Sequence, residues 1–257
     1  MDKIKKICEE IDSYAKEDKA LFFRKYFKFY TFPKMKYKES DIFKGIPVPS
    51  LRKIAKKHYN DLTMQELSFF LRSRVHEYRF FALLILILQF QRIEKYEKKH
   101  KYQKLKRIVT YYLKNVDYLN NWNLVDISAP NILGKFLFLY PKEKVILHKL
   151  SQSKHLWKER ISILATYYLI KHYKFDETFL LAEKFFRNPH DLIQKATGWM
   201  LREIGKRDKN KLLLFLKKHY TIMPRTMFRY ATEKLNPEEK ESFEIATRGF
   251  EPRTRGL

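Results

Sequence analysis

Trp122 and Asp126 lie four residues apart in the stretch NNWNLVDISAPNILG, Asn120–Gly134. On a helix that spacing stacks both side chains on one face, one above the other. An indole beside a carboxylate is an unusual pair to aim at water. It is also a poor pair to bury, because a buried carboxylate without a partner is costly. Standing alone, the pair reads as a tryptophan anchoring a core with an acid at its solvent edge. In a polar groove it reads differently, because a carboxylate stabilises developing positive charge and an indole face attracts cations.

Other chemistries find little support. The eight histidines are scattered without a ligand spacing, so neither a metal site nor a cofactor is expected. Six glycines spread over the chain make no phosphate loop. Ser128 has no histidine at a recognisable spacing and Cys8 sits on a polar opening helix, which leaves nucleophilic hydrolysis unsupported. Lys195 could attack a sugar aldehyde, but a groove lysine is far more often a phosphate contact.

The context comes from a repeat. Asp126 (VDISA), Arg160 (ERISILA), Lys195 (QKATGWM) and Arg229 (FRYATEK) each precede an apolar stretch, at intervals of roughly 34 residues, the period of an α-helical repeat array. Arg79 in HEYRFFALLIL has the same pattern one longer interval upstream. In stacked helix pairs, equivalent positions of successive second helices line one surface, usually the concave one. The four residues should therefore form a row along a groove. Trp122, one turn before Asp126, and Trp199, one turn after Lys195, should join the same lining.

The elements that carry this row are helical, and nothing alternates convincingly as a strand. Opening helices are predicted over Ile4–Tyr14 and Leu21–Tyr30. Four breakers, Pro33, Gly45, Pro47 and Pro49, make a loop of Thr31–Ser50, and a helix follows over Leu51–His58. Met64–Ser73 and a nearly all-apolar His76–Gln91 come next, then a charged linker, Glu94–Lys101. Helix pairs are predicted near 103–115 with 121–139, 142–152 with 157–173, 176–187 with 191–206, and 209–219 with 224–235. The fold class is all-α, a right-handed α-solenoid of helix pairs with a concave groove. Residues 1–240 form one domain and 241–257 a C-terminal tail.

Composition agrees with a nucleic-acid partner. Fifty-four Lys and Arg against 29 Asp and Glu give a net charge of +25 over 257 residues, which opposes compaction unless a polyanion shares the surface. A generally lysine-rich surface is the bland alternative. One cysteine excludes a disulfide framework and fits the cytosol. The N-terminus lacks the apolar core of a signal peptide. The longest apolar run, Phe80–Leu88, is too short for a membrane span. A cytoplasmic monomer is expected, in the bacterial cytosol at the nucleoid.

WNLVDISAPNILG (Trp122–Gly134), LWKERISIL (Leu156–Leu164) and IQKATGWMLRE (Ile193–Glu203) together resemble the AlkD-type alkylpurine DNA glycosylases, built from HEAT-like repeats. FKGIPVPSLRKIAK (Phe43–Lys56) matches more weakly, and the likeness runs from about Leu21 to Leu235. It implies that the family's aspartate falls on Asp126, its cleft tryptophans on Trp122 and Trp199, and its phosphate-clamping arginine on Arg160. A tyrosine closing the aromatic cleft falls on Tyr37. With the repeat row, the expected site has Asp126, Trp122 and Trp199 as catalytic residues, and Arg160, Lys195, Arg202, Arg229 and Tyr37 as DNA contacts. The implied activity is monofunctional release of cationic N3- or N7-alkylated purines from double-stranded DNA, in base excision repair. Two other readings compete: a catalytically silent relative that binds branched or damaged DNA, and a protein-interaction scaffold.

Overall fold

The computed structural model describes residues 2–27, 41–240 and Phe243. Fourteen α-helices are found among them: α1 (Asp2–Asp12), α2 (Glu17–Tyr26), α3 (Val48–His58), α4 (Met64–Leu71), α5 (His76–Tyr96), α6 (Lys101–Lys114), α7 (Trp122–Ser128), α8 (Lys135–Leu139), α9 (Val145–Ser151), α10 (Leu156–Lys171), α11 (Asp176–Phe185), α12 (Asp191–Gly205), α13 (Lys209–His219) and α14 (Arg225–Thr232). There is no strand among the described residues, only an isolated parallel bridge between Ile42 and Val75. None of these helices is long and apolar enough to cross a membrane.

The pairs follow the sequence periodicity closely. Second helices α7, α10, α12 and α14 pack in succession behind α5 and form one continuous layer. Helices α9 and α11 flank α10, and α11 and α13 flank α12, as a second layer. The result is an all-α solenoid. Its core is the seam between layers, and α5 is buried almost end to end, from His76 to Phe90.

Three differences from the periodicity stand out. Helix α2 starts four residues early, where Glu17 and Asp18 favour the positive end of the helix dipole. Helix α5 runs on to Tyr96 and absorbs part of the charged linker; the chain then turns at His100, in left-handed backbone. The single helix expected over 121–139 is broken. Pro130 has no N–H, so the Asp126 carbonyl loses its usual i+4 donor. The chain responds with a π-helical turn, Pro130–Gly134, closed by the Gly134 N–H on the Ala129 carbonyl at 2.9 Å.

That turn sets the spacing between repeats. A Cβ on Gly134 would sit 2.2 Å from the Ala165 carbonyl of α10, so only glycine allows the approach. Gly198 stands in the same relation to Met227 of α14, at 2.4 Å. Close crossings of this kind bring side chains of neighbouring second helices within direct reach.

The loop before α3 ties the N-terminal helices to α5. One Glu77 oxygen accepts the backbone N–H groups of Lys44, Gly45 and Ile46, at 3.0, 2.8 and 3.3 Å. Lys16 in turn donates its N–H to the Lys44 carbonyl at 3.0 Å. These bonds dock the end of α2 against α7. At the other end, Phe243, expected in the tail, is buried against Tyr220 and Phe228.

Candidate active site

Asp126 and Arg160 meet. They lie 34 residues apart in the chain, on adjacent helices, and form a two-pronged ion pair. Arg160 Nε donates to Asp126 Oδ1 at 3.0 Å, and Nη2 donates to Oδ2 at 3.0 Å. Arg160 Nη1 reaches on to the Leu192 carbonyl, at 2.6 Å, in the first turn of α12. Three successive second helices are thus joined through one guanidinium. The Arg160 side chain is 6% exposed and that of Asp126 18%, so the arginine is the buried member and the carboxylate the one that meets solvent. Burial raises the Asp126 carboxyl above the ordinary carboxylate range, and the charge and hydrogen bonds of Arg160 oppose that rise.

The pairing bears directly on the expected role of Arg160. A free phosphate clamp was predicted, but the fork of the guanidinium is already engaged on Asp126 and Leu192. Its geometry is that of a residue orienting Asp126 and favouring its ionised form.

Trp122 opens α7 one turn before Asp126 and is half-buried. Its indole packs against Tyr26 edge-on, with centroids 6.0 Å apart, and against Phe27 at 5.4 Å. Phe27 stacks in turn on Phe43 and His76. Beneath these rings lies a buried polar network. Asp41 Oδ2 bonds Arg79 Nη2 at 2.5 Å and His76 Nδ1 at 2.8 Å, while Asn120 joins Asp41 and Arg79. His76 Nε2 lies 2.9 Å from Asn123 Nδ2, on the helix that carries Trp122. Arg79, the upstream member of the repeat row, is therefore a wholly buried anchor.

Trp199 lies on α12, half-buried, with Tyr167 of α10 at 6.1 Å between centroids. Its indole N–H donates to Glu203 Oε1 at 3.2 Å. Lys195, one turn earlier, pairs with Asp191 at 2.5 Å in an exposed i,i+4 contact, which is weak and readily displaced. Arg202 is tied to Glu233 across α12 and α14, so it is less free than expected. Arg229 is exposed, its guanidinium over the Tyr230 ring. Tyr37 falls outside the described residues.

Cavities of about 650 and 610 Å³ open beside the α11–α12 turn and at the start of α14. Neither is lined by Asp126, Trp122 or Trp199.

The family model described as DNA alkylation repair enzyme matches residues 7–235, a span that holds every one of these side chains. The chain belongs to the AlkD-type DNA alkylation repair family. Its role is therefore in alkylation repair. A solved structure described as a predicted DNA alkylation repair enzyme from Enterococcus faecalis has the same fold, with a TM-score of 0.65. The match covers 87% of this chain and 97% of that one at 17% identity. A search of curated protein sequences finds no match.

Within this family member, sequence spacing missed three contributors. Tyr26 and Phe27 pack on Trp122 from a helix about a hundred residues upstream, which no periodicity connects to it. Glu203 is i+4 from Trp199, a spacing that was legible but unread.

Proposed function

We propose that the protein is a monofunctional DNA glycosylase that releases cationic N3- or N7-alkylated purines from duplex DNA, the first step of base excision repair. The observation that carries this reading is the Asp126–Arg160 pair, whose partly exposed member is the carboxylate, one turn from the Trp122 indole. Pure phosphate binding needs neither group. An alkylated purine bears a positive charge, so its C1′–N9 bond is already weakened. When that bond breaks, the electron pair goes to the purine, which leaves neutral. The sugar passes through an oxocarbenium-like state, as in other glycoside cleavages.

Asp126 stabilises that charge and orients the water that adds to C1′; the water's second proton passes to solvent. Arg160 keeps the carboxylate ionised and aimed. The faces of Trp122 and Trp199 attract the cationic nucleotide, each by about 0.5–2 kcal/mol. Phosphate contacts fall to Lys195 and Arg229, whose side chains are partly or fully exposed. The resemblance to the AlkD-type glycosylases implies a groove-bound lesion rather than a base drawn into a deep pocket. Incubating 7-methylguanine-containing duplex with the protein and scoring free base tests the proposal. DNA that stays intact while bound would leave only the binding reading.

A further inference from the structure

Glu203 stands behind the Trp199 indole. It is 7% exposed at the side chain, in the last turn of α12, one turn after Trp199 and just before Lys206 and Arg207, which follow the helix end at Gly205. One oxygen takes the indole N–H at 3.2 Å and Lys206 Nζ at 2.5 Å. The other takes Arg207 Nη1 at 3.1 Å, and the same Nη1 donates to the Glu203 backbone carbonyl at 2.8 Å. Burial alone would raise this carboxyl, but the bonds from Lys206, Arg207 and Trp199 outweigh it and hold it below the ordinary range. The surroundings are rich in cations beside aromatic rings. Arg207 lies over Tyr167 at 5.8 Å, Lys171 lies over the same ring at 4.6 Å, and Tyr167 neighbours Trp199.

We infer that Glu203 determines specificity for cationic bases: it draws Lys206 and Arg207 onto its carboxylate and away from the indole, leaving the Trp199 face to a positively charged purine. This rests on the proposed reading of Trp199 as a lesion contact. A cation next to an indole finds its own place on the ring. Without the carboxylate, Lys206 and Arg207 would compete with the alkylated base for that face and repel it. A merely structural Glu203 would hold α12 together and have no bearing on the charge of the base.

The test is Glu203→Gln, which keeps the shape and an acceptor for the indole N–H but cannot neutralise two cations. Two duplex probes that resist base release are compared. One carries 2′-fluoro-7-methylguanosine, a cationic base, and the other 7-deaza-7-methylguanosine, its neutral isostere. Loss of one cation–π contact predicts that the preference for the cationic probe falls by about five-fold in the variant. Affinity for undamaged duplex should hold or rise, because the local charge is one unit more positive. Adding Arg207→Gln should restore at least half of the lost preference. A folded Glu203→Gln protein with unchanged preference overturns the inference, as does a loss that Arg207→Gln leaves untouched. If Glu203→Gln fails to fold, Arg207→Gln alone decides: preference that holds or rises supports the inference, and preference that falls overturns it. Absence of any preference in the unaltered protein would instead strike at the proposed function itself.

Discussion

Asp126→Asn separates chemistry from packing, and the structure says how much each should lose. The amide keeps the shape but loses the charge that faces Arg160 across two 3.0 Å bonds. Removing one partner of a buried ion pair costs roughly 3–5 kcal/mol. Asp126 is 18% exposed and the amide oxygen can still accept one bond, so about 2–3 kcal/mol is the better figure. For a chain of this size that lowers the thermal midpoint by roughly 4–12 °C. The catalytic loss is a different quantity. A carboxylate about 4 Å from C1′ interacts with a full positive charge by about 4 kcal/mol at an effective dielectric constant of 20. The transition state develops only part of that charge. Base release per folded molecule should therefore fall by between ten-fold and roughly a thousand-fold.

Single-turnover excision from 7-methylguanine duplex, run well below the midpoint of the variant, reads the second loss without the first. DNA affinity should hold or rise, because Arg160 is left with an uncompensated charge. The pH profile carries the same signature. Burial raises the Asp126 carboxyl, so excision should be lost on the acid side at a pH above that of an ordinary aspartate. In Arg160→Gln, where the opposing charge is gone, that limb should move to still higher pH. Excision at the unaltered rate by folded Asp126→Asn would refute the mechanism and leave Asp126 a structural ion-pair partner.

Asp41→Asn leaves Arg79 buried without its counter-charge and weakens the bond to His76, and should cost about 3–5 kcal/mol, seen as a large fall in thermal midpoint. Burial would raise the Asp41 carboxyl, but His76 and Arg79 lower it overall, so its stabilisation is complete above pH ~4 and lost as pH falls through its depressed folded value; the variant should be less acid-sensitive than the parent in pH-dependent melting. Gly134→Ala forces the Pro130–Gly134 turn away from α10 at the 2.2 Å approach and should destabilise by about 1–3 kcal/mol, with a larger drop in excision than Gly205→Ala, whose nearest neighbour is the end of the Leu212 side chain. Replacing Lys195 and Arg229 together by Gln should reduce the log–log salt slope of undamaged-duplex binding by about 1.8, at 0.9 per phosphate; an unchanged slope would take both residues out of the DNA contact.

Phase was legible in the sequence and partnership was not. The spacing of Asp126, Arg160, Lys195 and Arg229 placed them on successive second helices, because a repeat fixes which face each position occupies. It could not show that Arg160 turns back onto Asp126, since that depends on how closely α7 and α10 cross. The crossing is set by Pro130 and Gly134, which act through a missing N–H and a missing Cβ. Both lie inside the very motif that carried the resemblance, so the motif records a geometry as well as a reactive group. The aromatic wall was hidden for the opposite reason. Tyr26 and Phe27 reach Trp122 across the loop before α3, three of whose N–H groups Glu77 gathers. Such a contact joins segments with no shared period. The candidate site therefore depends on two kinds of order: a repeat that sets charged residues on successive helices, and long-range contacts that bring rings to Trp122. Glu77→Gln tests the second kind alone. It should loosen the Tyr26–Phe27 wall and weaken lesion binding, while the Asp126–Arg160 pair, held by its own helices, stays formed.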